Sequence, residues 1–196
     1  MNTYYPFPWE SFFSLFIIGA LIPTLIGAVF IWRYARSSRN RDPLLSLNSS
    51  GPKAFMGWPT GGRCGLWATG LFGALLGFLS GLLWLSWSAA GNDGSFVTPA
   101  IQMPGSFPAW QVVLCGAFVV GMAVVAALSS KRLNAGALAA ALGTAAGFTT
   151  WFAMAVATPV TSQEGIGVAM SIVGVTFSLS VSNYVVALIR AKKIKS

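Results

Sequence analysis

GLWATGLFGALLGFLSGLLWLSWS, residues 65–88, decides the fold. The run holds 24 residues without one charged side chain. A bilayer core about 30 Å thick takes roughly 20 apolar residues of helix to cross. A membrane-barrel strand would be only about ten residues long and would alternate strictly between faces. Here Gly73, Gly77 and Gly81 recur every four residues, with Gly70 one turn earlier. That is a helical spacing, and it places the four glycines along one face. Absent side chains let a second backbone approach closely, so the face is read as helix-packing. Its partner is another helix of the same chain or the same face of a second copy. The opposite face, Leu71, Phe78, Leu82 and Leu85, suits lipid.

The same reading extends outward in both directions. Comparable stretches run over about residues 11–32, 110–129, 135–157 and 165–189, so the chain carries five candidate spans. Of its 196 residues 55% are hydrophobic and 8% charged, against about 25% charge in a soluble domain. That composition excludes an ordinary soluble domain and intrinsic disorder. The expected fold is an all-α integral membrane protein, a single membrane domain of five transmembrane helices.

Charge sets the expected direction. All 12 basic residues fall in the segment 33–63, in the turn holding Lys131 and Arg132, or after residue 189. Glu10, Asp93 and Glu164 fall on the other side. The positive-inside rule puts the N-terminus outside, the C-terminus in the cytoplasm and the loop 33–63 inside. The loop 89–109 is then outside. An even number of spans would break this segregation. The first ten residues lack a basic region and no small-residue cleavage site follows span one, so that span is expected to be a retained anchor. Arg33, Arg36 and Arg39, three apart, line one side of a helical extension of span one and are expected to touch anionic lipid. Basic residues scattered over three loops do not form a nucleic-acid groove.

The spans are more informative for what they lack. The chain has no histidine and only four acidic residues. Carriers, proton relays and voltage sensors place ionisable groups inside the membrane, and none lies well inside these spans. No catalytic residues, metal ligands or cofactor are therefore expected. Cys64 and Cys115 fall at opposite ends of their spans, too far apart for a disulfide.

Span four opens with AGALAAALGTAAG, residues 135–147, small on nearly every side. Such a half-helix belongs at the centre of a bundle, with Gly143 and Gly147 as packing positions. Span five is the most polar. Ser171, Gly174, Ser178 and Ser182 form one stripe, and Thr176, Ser180 and Asn183 a second, roughly opposite. Their hydroxyls bond back to their own helix, or one stripe packs internally while the other meets a partner chain or lines a narrow passage. Pro23, flanked by Gly19 and Gly27, is expected to kink span one.

The reading that follows is a non-catalytic accessory or structural subunit of a larger membrane protein complex, with larger integral membrane proteins and anionic lipids as partners. The alternative is a small oligomeric transporter or channel component for a neutral or lipid-like solute. The plan suits a multi-pass protein of a plasma membrane, with a bacterial inner membrane the best compositional fit.

Overall fold

The computed structural model describes residues 8–38, 62–87, 107–157 and 162–195, with side chains outside it at 162–165, 194 and 195. The described residues are helical apart from short lead-ins and turns, and five helices among them are long and apolar enough to cross a membrane. They are α1 (Trp9–Ser37), α2 (Leu66–Leu85), α3 (Ala109–Ser129), α4 (Asn134–Val156) and α5 (Ser162–Lys195). Arg39 and most of the two long loops, 39–61 and 88–106, lie outside the described residues.

Helix α4 is the axis of the bundle. All four other helices pack on it, and 72% of its most apolar window is buried, against 11% for α1. The cause is side-chain size. A helix of Ala, Gly and Thr gains little from contact with lipid, but it lets neighbours close in on every side. Helices α2 and α3 cover it on one flank and α5 on another, while α1 lies at the periphery.

In α1 the backbone widens to a π-turn over Ile17–Leu21, just before Pro23. Proline lacks an N–H, and its ring collides with the carbonyl four residues back. The π-turn absorbs the mismatch, with the Ile22 N–H bonding the Ile17 carbonyl five residues back. Pro23 thus acts through a local change of helix type, a recognised origin of kinks in membrane helices.

The expected lipid face of α2 is corrected in part. Leu71 and Leu82 are exposed, together with Trp67, Leu75, Leu79 and Leu83. Leu85 is buried in the core with Cys115, Val119 and Trp151, and Phe78 packs against that core. Helix α3 covers a second side of α2, which narrows the arc left for lipid.

One end of the bundle is tied by main-chain bonds. The Gly62 N–H donates to the Ser130 carbonyl (3.1 Å), the Cys64 N–H to Ser129 (2.9 Å) and the Lys131 N–H to Cys64 (2.9 Å). These form a short parallel bridge between the lead-in to α2 and the α3–α4 turn. Arg63, Lys131 and Arg132 therefore lie at the same end. At the other end, Phe12 near the start of α1 packs with Val156 and Ala157 near the end of α4.

Candidate functional site

The glycines of α2 and α4 form a backbone-to-backbone seam. A methyl group built on Gly77 would overlap the Thr144 carbonyl, with the Thr144 Cα 2.9 Å away. One on Gly143 would overlap the Gly70 carbonyl, and one on Gly147 the Ala74 carbonyl. Gly73 faces Ala140 and Thr144, and Gly81 lies against the Trp151 ring, 3.1 Å from a built methyl. Gly70 is the loosest of the six; a methyl there would lie 3.7 Å from the Ala139 carbonyl. Numbers rise together across the seam, from 70 beside 143 to 81 beside 151, so α2 and α4 run in the same direction. Close approach of this kind gathers dispersion and weak Cα–H···O contacts, which drive helix association where no hydrophobic effect operates.

A second set of residues stitches the helices through side chains. Gln111, fully buried, donates to the Trp84 and Trp87 carbonyls, both at 2.7 Å. The Trp84 carbonyl lies in the last turn of α2, where no partner within the helix remains, and the Trp87 carbonyl lies two residues past its end. Arg132 donates to the Ala35 carbonyl near the end of α1 (2.7 Å), and Arg190 to the Ala127 carbonyl near the end of α3 (3.4 Å). Each guanidinium adds its positive charge at the negative end of a helix dipole. Asn183 donates to Ala137 of α4 (3.1 Å) and Ala123 of α3 (3.4 Å). The Ser171 hydroxyl gives its one proton to the Val168 carbonyl (2.8 Å), so the Thr149 hydroxyl is the donor across the α4–α5 contact at 3.2 Å.

Sequence reasoning missed Gln111 as a functional position and read Arg132 and Arg190 only as topology signals. A lone glutamine within an apolar span was the available signal. Arg190 was expected beyond the end of span five. The helix instead continues past it, and the side chain is buried.

The two stripes of α5 have different surroundings. Asn183 shares the inward face with Val168, Ile172, Leu179, Ala187 and Arg190, all buried. It holds neighbouring helices of its own chain and is not open to a partner or a passage. Thr176 and Ser180 are half-buried beside it. Ser182 is half-buried and bonds back to the Ser178 carbonyl (2.9 Å). Gly174 and Ser178 face outward. They line a cavity of about 500 Å³ between α3 and α5, floored by Cys115, Val119 and Phe148. No described atom lies within 4 Å of a methyl group built on Gly174, or on Gly116 across the same cavity.

At the basic end, Arg33 and Arg36 are exposed on the last turns of α1. The Arg36 guanidinium stacks 3.8 Å from the centre of the Trp32 ring. Among the described residues no group of three His, Cys, Asp or Glu stands close enough to hold a metal ion.

Comparison of the chain with protein-family models, with characterised proteins and with solved structures gives no match.

Proposed function

We propose that the protein is a non-catalytic subunit of a larger membrane complex, docking through the outer face of α3 and α5. The observation that carries this reading is the pair Gly116 and Gly174. Both point outward and line one open cavity. Large aliphatic side chains suit contact with lipid, whereas small residues mark places where a second helix comes close. The glycines of α2 and α4 meet within the chain; these two meet nothing described. The long polar side chains support the same view, since Gln111, Asn183 and Arg190, all buried, and the half-buried Arg132 hold helix carbonyls. Selecting a solute takes rings of charge, carbonyls or placed polar groups. In this reading the chain lies in a plasma membrane, of bacterial type, with its basic end in the cytoplasm against anionic lipid.

The test is extraction in gentle detergent. The protein should leave the membrane bound to at least one larger membrane protein. Gly174→Phe combined with Ser178→Leu should release that partner while the chain still inserts. Reconstituted alone in liposomes, the chain should show no solute flux. The alternative, an oligomeric transporter component for a neutral or lipid-like solute, draws on the same cavity with Ser178 at its wall. A monodisperse, partner-free protein that moves such a solute would establish it and overturn the subunit reading.

A further inference from the structure

Helices α1 and α2 barely touch, although both lean on α4. Between them lies a cleft of about 180 Å³, open to the surrounding membrane and walled by Leu25, Ala28, Trp67, Leu71 and Ala74, with Gly143 in its floor. An apolar cavity of about 150 Å³ holds a benzene-sized guest and stays dry. A helix with its side chains is about 10–12 Å across and is far too thick for this space. The occupant must be thin and apolar.

The charge at one end of the cleft says what kind. Trp32 and Arg36 follow Leu25 by 7 and 11 residues and form one row with it on α1, running from the cleft wall toward the basic end. Arg132, just before α4, donates to the Ala35 carbonyl of α1, one turn beyond Ile31 of the cleft wall. Arg63 and Lys131, both exposed, are held beside each other by the Cys64–Ser130 bridge. No acidic side chain stands among the described residues at this end. The exposed indole of Trp67 lines the cleft, and that of Trp32 is exposed one residue beyond Ile31 of its wall; tryptophan favours the headgroup level of a bilayer.

We infer that the α1–α2 cleft is a binding site for one anionic phospholipid of the leaflet on the basic side, with an acyl chain over Gly143 and the phosphate facing Arg36 and Arg132. Charge complementarity selects the headgroup, and the width of the cleft selects a chain over a partner helix. The inference rests on the membrane reading and is independent of the subunit reading, because it concerns the chain by itself.

The experiment uses the full chain in nanodiscs of mixed phosphatidylglycerol and phosphatidylcholine, followed by release into native mass spectrometry. The intact protein should retain a single phosphatidylglycerol in preference to phosphatidylcholine. Arg36→Gln alters one exposed position. It should cut that preference roughly 5-fold, given the usual worth of about 1 kcal/mol for a basic residue beside an anionic surface. Ala28→Phe fills the cleft and should abolish retention of either lipid. Equal retention of the two lipids by the intact protein would overturn the proposal. So would a preference that survives Ala28→Phe, since the headgroup would then be held without a seated chain. A protein helix cross-linked from a cysteine at Ala28 would also overturn it.

Discussion

A single methyl group separates the two classes of glycine in this protein. At Gly77 and Gly147 the space for it is taken by the backbone of the facing helix. Gly77→Ala and Gly147→Ala should each lower detergent stability by about 1–3 kcal/mol, the usual range for overpacking. Gly116→Ala meets no described atom and should stabilise the helix by about 0.5–1 kcal/mol, because glycine is the weaker helix former. Thermal unfolding in detergent measures both signs. If all three substitutions shift the melting temperature the same way, the seam is misplaced. Gln111→Leu leaves the half-buried Trp84 and Trp87 carbonyls without this donor, and should cost about 1 kcal/mol, the usual net worth of a hydrogen bond. Asn183→Leu should cost less, since a hydrogen bond between membrane helices averages about 0.6 kcal/mol. The glycines were legible in the sequence because a four-residue spacing is a local pattern. Gln111 was not legible, because its acceptors lie 24 and 27 residues away.

At the scale of the element, α1 is the helix least held by the bundle, and its π-turn decides what it presents. A π-turn adds a residue to the helical cycle and so rotates everything before it relative to everything after. In the structure this turns Gly19 onto α5, where a built Cβ lies 3.4 Å from the Val168 Cβ. That separation is close to the Cβ–Cβ span of a disulfide, about 3.5–4.5 Å. With Cys64 and Cys115 replaced by serine, Gly19→Cys with Val168→Cys should cross-link under mild oxidation. Ile18→Cys with Val168→Cys should not, because Ile18 is exposed on another side. A faster-migrating band on a non-reducing gel reports the link; its appearance in the second pair and not the first would place the π-turn elsewhere. Pro23 announced a perturbation in the sequence. That the perturbation takes the form of a π-turn, with Gly19 set against Val168 of α5, is visible only in the structure.

For the whole molecule, the testable quantity is direction. Main-chain and side-chain bonds gather Arg63, Lys131, Arg132 and the end of α1 at one end of the bundle. If that end is cytoplasmic, a cysteine at Ser162 should react with an impermeant thiol reagent added outside intact cells. A cysteine at Ser38, and the native Cys64, should react only after the membrane is opened. Labelling of positions 38 and 162 from the same side would refute the alternation of the spans, and the reverse pattern would invert the orientation.

The sequence by itself determined that this chain is helical, apolar enough to cross a membrane five times, and segregated in charge. Hydropathy and loop charge are sums over neighbouring residues, so they need no knowledge of the fold. It also marked the first half of α4 as central, because a stretch small on nearly every side has no face suited to lipid. The tertiary structure alone decided the rotation of each helix about its axis. That rotation buried Leu85 and turned Asn183 inward while leaving Gly174 and Ser178 outside. It also placed Arg190 under the end of α3 and opened a cleft between α1 and α2. Such outcomes depend on which surfaces of distant segments meet, and a wheel drawn for one helix holds no record of its neighbours.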